Sequence, residues 1–203
     1  MALVDLIEDP SSSPLLLRDL YAGGDPGPIV AALAQVPELC EVALPFIGAA
    51  LGPSHVSFRF KEIAILRTSA NLSCKYCIDA HTVVAFESGL TNGEVLALRE
   101  CPTAWEVFDD GVEQALVRWI DALTAAGGGP VPTGIANDAQ ALLGDHRLVE
   151  LTVTVGVTML LNRFATGLGL PTSAETVAKL ADHGYQPFQY PTPATPVSIG
   201  GAS

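Results

Sequence analysis

The sequence predicts an all-α protein, and three observations carry that reading. Gly and Pro divide the chain into apolar segments of helical length. Helix signals fall at their ends: Thr91 with Glu94 has capping-box spacing, and Gly89 stands where a glycine just past a helix C-terminus belongs. The one stretch that reads as a strand, Leu-Thr-Val-Thr-Val-Gly-Val-Thr at 151–158, is β-branched and alternating. It continues unbroken into Met-Leu-Leu-Asn-Arg-Phe-Ala and has no partner strand elsewhere, so it reads as a buried helix.

In chain order, 14–22, 29–35 and 38–51 form an N-terminal run of short helical pieces. Segments 57–72 and 74–88 read as two longer helices meeting at Ser73, which is expected to cap the second. A short helix runs from Thr91 to Arg99. Segment 110–126 is amphipathic, with Val112, Leu116, Trp119, Ile120 and Leu123 on one stripe. Residues 127–134 form a Gly/Pro-rich linker, and helices at 135–143, 146–168 and 173–183 follow. From Gln186 four prolines fall in 18 residues, which predicts an extended tail able to drape on a neighbouring subunit. The organisation is one helical domain, 1–185, and a Pro-rich tail, 186–203.

Composition narrows the functional classes. The 203 residues carry 22 acidic against 10 basic side chains, a formal charge of −12. That length buries a core without disulfide staples. A mean hydropathy of +0.37 excludes disorder and points to apolar surface buried between subunits, hence a homo-oligomer. A pI near 4.5 works against nucleic acid, whose binders need a basic face. The best membrane candidate, 148–161, is 14 residues long and ends at Asn162-Arg163, short of the roughly 20 that a bilayer requires. No membrane association is expected. The first residues carry an early acid and no basic stretch, so they do not read as a signal peptide, and the expected compartment is the cytoplasm.

The chemistry lies in Cys74-Lys-Tyr-Cys77 and His81. At about 100° per residue, positions 74, 77 and 81 project within one narrow arc at a helix N-terminus. The positive end of that helix favours thiolate, and Lys75 adds charge nearby. Folding the chain back near residue 72 brings Glu62 opposite position 82. A carboxylate there can hydrogen-bond His81, fix its tautomer and raise its basicity. Glu62, His81 and Cys77 then read as a proton relay serving a reactive thiol.

Glu62 twelve positions before Cys74, followed by Cys-x-x-Cys-x-x-x-His, closely resembles the carboxymuconolactone decarboxylase/AhpD-like superfamily, whose redox branch includes alkylhydroperoxidase D. The motif resemblance covers about residues 58–98, and a weaker pattern runs to about 170. It implies an all-helical fold, trimers or multiples of trimers, and peroxidase or disulfide-reductase activity on a hydroperoxide. It also implies Cys77 as peroxidatic, Cys74 as resolving, and Glu62 and His81 as proton carriers. No metal, haem or flavin cofactor is implied; the reductant is an external dithiol, of lipoyl type in AhpD itself. Tyr76 replaces a histidine of AhpD proper, which leaves peroxide chemistry in place but not that reductant, and makes Tyr76 a candidate substrate-pocket residue. Laying Glu150 on Glu62 sets Asn162, Ala165 and Gly169 against Cys74, Cys77 and His81, as two pseudo-repeated helical halves would.

Two rivals stand beside the peroxidase reading. One is a lactone decarboxylase-like lyase using His81 and Glu62, for which a dithiol has no purpose. The other is a non-catalytic redox-sensing or zinc-binding oligomeric module. Cys40, Cys101, His55, His146 and His183 read as structural or incidental, Arg67 as an ion-pair partner, and Asn162-Arg163 as structural.

Overall fold

At four helix starts a side chain, Ser57, Thr91, Asp110 or Ser173, takes up a free amide of the first turn, and at two others proline occupies that turn. The computed structural model describes residues 2–190, which are helix, turn and loop with no strand among them. Short 3-10 turns at Pro10–Ser12 and Leu15–Tyr21 precede α1 (Pro28–Leu33) and α2 (Pro37–Leu51). Then come α3 (Phe58–Asn71), capped by Ser57, and α4 (Lys75–Glu87). Next is α5 (Asn92–Glu100), with the Thr91–Glu94 capping box formed. After a 3-10 turn at Ala104–Val107, α6 (Gly111–Leu123) is capped by Asp110. The long α7 (Thr133–Leu168) and short α8 (Ala174–Asp182) complete the fold. A left-handed Gly144, at φ 71° and ψ 163°, interrupts α7 where the sequence places a boundary between two helices.

The element at the centre is α3. It packs against α4, α5, α6 and α7, and every residue from Lys61 to Ser69 is buried. Ile63 and Leu66 join Leu116, Ile120, Leu151 and Val155 in the main core, each burial contributing about 1.5–3 kcal/mol. Lys61 is fully buried yet satisfied: its Nζ meets Glu150 at 2.7 Å, the Ala50 carbonyl at 2.7 Å and Thr154 Oγ1 at 3.1 Å.

By length and composition α7 could span a bilayer, because the helix continues well beyond the 14-residue apolar run; 44% of its most apolar window is buried within the fold. Its inward residues include Thr154, Thr158 and Asn162, and it packs on α3 and α6 as a core helix. Its outer face exposes Val149, Val153 and Leu160, while α2 exposes Leu39, Val42 and Phe46.

One expectation is corrected. The pseudo-repeat is not reproduced in the element pattern, because α7 runs unbroken where the aligned α3 and α4 turn back on each other. The described part of the tail lies on its own chain: Phe188 N–H donates to Asp79 Oδ1 at 2.7 Å, and Lys75 Nζ donates to the Phe188 carbonyl at 2.7 Å. The rest of the expected tail, 191–203, lies outside the described residues.

Candidate active site

The site is made by the tight reversal between α3 and α4. Ser73 adopts φ 54°, in the left-handed region. Its N–H donates to the Ala70 carbonyl, and Cys74 N–H donates to the Ser69 carbonyl, each at 3.0 Å. These two bonds close α3 as a Schellman motif, with serine where glycine is usual. The helix cap is therefore Cys74, at φ −82° and ψ 98°, and not Ser73 as the sequence predicted. The backbone hydrogen bonds of the reversal leave Ser73 no role in starting α4.

Cys74 and Cys77 are buried free thiols with their Sγ atoms 2.8 Å apart. The Cys74 thiol is drawn down to about 7, chiefly by its hydrogen bond with Cys77 and against the opposing effect of burial. The Cys77 amide at the open helix end, the Thr166 hydroxyl and the charge of His81 assist. Cys77 is pushed up, because its proton is held by Cys74 and because burial beside that charge disfavours a second one. The first proton lost by the pair thus leaves its charge on Cys74. Lys75 contributes less than expected, since its Nζ is paired with the buried Asp79 at 2.9 Å.

His81 Nδ1 lies 2.9 Å from Glu62 Oε2, as the antiparallel folding of α3 and α4 predicts. The carboxylate is 2% exposed and the imidazole 26%. Burial alone would lower the His81 pKa; the charge and hydrogen bond of Glu62, with the Cys74 charge, outweigh it and raise the value above 6.5. With Nδ1 committed to Glu62, Nε2 is the nitrogen left for a ligand.

A cavity of about 200 Å³ opens on this group. Cys77, His81 and Tyr76 line it, but Cys74 does not, so charge and access are divided between the two sulfurs. Its apolar wall comes from α1, α2, α3 and α7 through Ile29, Ile47, Leu51, Ile65 and Leu161. The Tyr76 phenol is pushed up to about 12, first by burial and then by the thiol charges, and so keeps its proton. Two contributors from α7 escaped the sequence reading. Asn162, expected to be structural, is 1% exposed and lines the cavity, and Thr166 reaches Cys74. The available signal was the alignment of Asn162 with Cys74. His55 and His146 meet edge to face and His183 stacks on Phe86, and none of the three lines the cavity. Arg67 pairs with Asp121 at 2.6 Å, as expected.

Residues 37–122, the stretch carrying Glu62, both cysteines and His81, match the carboxymuconolactone decarboxylase family. That match covers 86 of the chain's 203 residues, and the chain as a whole is similar in fold to AhpD-like proteins. Its fold recurs in a peroxidase-related protein from Silicibacter sp. TM1040, with TM-score 0.71 and 16% identity over 91% of this chain and 95% of that one. An alkylhydroperoxidase AhpD core protein from Ralstonia eutropha JMP134 gives TM-score 0.68 and 17% identity, over 86% of this chain and 94% of that one. The debrominase Bmp8, solved as a cysteine-to-alanine variant with 2,3,4-tribromopyrrole, gives TM-score 0.72 and 14% identity, over 90% and 100%. No curated protein matches the sequence. At these identities the superfamily likeness to the solved structures is one of fold.

Proposed function

We propose that this protein is a thiol-dependent peroxidase that reduces organic hydroperoxides through Cys74 and Cys77. The observation that carries the reading is the division between the sulfurs: Cys77 lines an apolar cavity, while Cys74 lies behind it at 2.8 Å and takes the negative charge. Cys77 passes its proton to Cys74 and its sulfur attacks the terminal peroxide oxygen. The S–O bond forms as the O–O bond breaks, and the alkoxide takes a proton from His81 Nε2, held by Glu62. Cys77 is then a sulfenic acid. A proton returns from Cys74 to His81, and the Cys74 sulfur attacks that of Cys77. The disulfide forms, and the hydroxyl leaves as water with the His81 proton. An external dithiol restores both thiols. The exposed apolar faces of α2 and α7 support self-association, which native mass measurement tests.

The likeness to Bmp8 favours a second reading, reductive dehalogenation of a compact halogenated aromatic. There two thiols become a disulfide, a carbon–halogen bond becomes carbon–hydrogen, and halide and one proton leave. The deciding experiment is intact mass before and after one equivalent of cumene hydroperoxide. The expected result is rapid loss of two hydrogens per chain, mapped to Cys74–Cys77. An unchanged mass overturns the peroxidase reading, and halide release from a bromopyrrole supports the second. Decarboxylation that persists with both cysteines changed to serine would favour a lyase.

A further inference from the structure

Resting on the peroxidase reading, we infer that Asn162 is a substrate-binding residue: its Oδ1 accepts the O–H of a compact apolar hydroperoxide and selects for molecules that bring such a donor. Asn162 is 1% exposed and lines the cavity beside Cys77 and His81. Its Nδ2 donates to Ser69 Oγ at 3.1 Å, which fixes the amide plane. The amide also lies beside Cys77 and favours the ionised sulfur. Its Oδ1 is buried and has no hydrogen-bond partner. Leaving such an acceptor unpaired is costly, and buried amides are nearly always paired on both atoms. No side chain of the wall pairs with it, so an occupant of the cavity can supply the missing donor.

Size and lining restrict that occupant. About 200 Å³ is somewhat more than the roughly 150 Å³ that houses benzene in a protein interior. The cavity suits one aryl or short branched alkyl group carrying a small polar end. The polar residues sit together: Cys77, His81 and Asn162 all line the same space. A hydroperoxide R–O–OH satisfies all of them. Its terminal O–H donates to Oδ1, which holds the terminal oxygen for attack by Cys77, and its inner oxygen is left for the His81 proton. A dialkyl peroxide of the same bulk has the O–O bond but no donor, and hydrogen peroxide has the donor but leaves the apolar wall uncovered.

The test is equilibrium binding to the reduced wild-type protein of two unreactive probes, 2-phenyl-2-propanol and its methyl ether. They share one carbon skeleton and differ in the O–H. The alcohol is expected to bind about fivefold to tenfold more tightly, and in Asn162→Leu that preference is expected to fall to about one. Equal binding in the wild type, which needs no variant to fold, overturns the inference; so does a preference that survives in a folded Asn162→Leu. Because neither probe is reduced, the result stands apart from peroxidase activity. A wild-type dithiol inert to cumene hydroperoxide would sink the peroxidase reading, while the alcohol–ether pair would still decide the role of Asn162.

Discussion

Two glutamates of this chain occupy matched places in the sequence and opposite roles in the molecule. Glu62 on α3 and Glu150 on α7 each precede, by twelve residues, a side chain of the cavity region, Cys74 or Asn162. Glu62 is buried against His81, and the proposed reaction gives it a place in the proton path. Glu150 is a tie: it pairs with the buried Lys61 and accepts a hydrogen bond from Ser54 Oγ. After Glu62 the chain reverses at Ser73 and presents two thiols at a fresh helix end. After Glu150 the helix runs on and presents an amide to the same cavity. Ionisable chemistry sits where a helix begins, and neutral shaping sits where a helix passes through.

The comparison breaks first at the thiols. Cys77→Ser is expected to abolish hydroperoxide turnover, and Cys74→Ser to stop the reaction with one oxygen atom added at Cys77 rather than two hydrogens lost; intact mass separates the two. If the serine variants behave alike, the division between attacking and charge-holding sulfur is wrong. The same division has a pH signature. Alkylation of the wild-type pair should rise through a midpoint near 7, the value to which Cys74 is drawn down. In Cys77→Ala the remaining thiol should titrate higher, because the hydrogen bond that lowers it most is removed.

Glu62→Gln should cost about 10- to 100-fold in the rate of hydroperoxide reduction, read by stopped-flow. It also carries a stability prediction with a definite sign. His81 is raised in the folded chain, so its contribution is fully present below about pH 6.5 and is lost as pH rises through the folded value. Wild-type stability in urea should therefore fall over that window from this pair. In Glu62→Gln, burial acts on His81 without the carboxylate, and that fall should disappear.

Much of this site was legible before any coordinates. Cys74, Cys77 and His81 follow from helical spacing, and the Glu62–His81 contact follows from folding one helix antiparallel to the next. Both are local relations, fixed by about 20 residues of chain. Ser73 was misread because a serine at a helix junction is far more often a cap than a left-handed residue; the two backbone bonds that hold it at φ 54° leave no mark in composition. Asn162 and Thr166 were missed for a different reason. They reach the dithiol only through the packing of α7 against α3 and α4, across some 90 residues of sequence, and no periodicity encodes that. The β-branched run at 151–158 is helix because Leu151, Thr154, Val155 and Thr158, spaced three and four apart, are buried where α7 packs on α3, so packing overrides strand propensity.

The smallest predicted effect on activity is also the sharpest separation of the two glutamates. Glu150→Gln keeps an oxygen for Lys61 and Ser54 but removes the charge that balances a fully buried ammonium. Lys61 retains the Ala50 carbonyl and Thr154 Oγ1, and Glu150 is partly in water, so the loss should sit at the low end for a broken buried pair, about 3 kcal/mol in urea unfolding, with none in activity. The hydroperoxide rate should not change, because Glu150 touches neither thiol, nor His81, nor the cavity wall. Lys61 stands next to Glu62 in the chain, and that adjacency gives the measurement its edge. If removing the charge from Glu150 slowed the reaction as Glu62→Gln does, the buried lysine would be transmitting charge to the proton path, and the separation into tie and relay would fail.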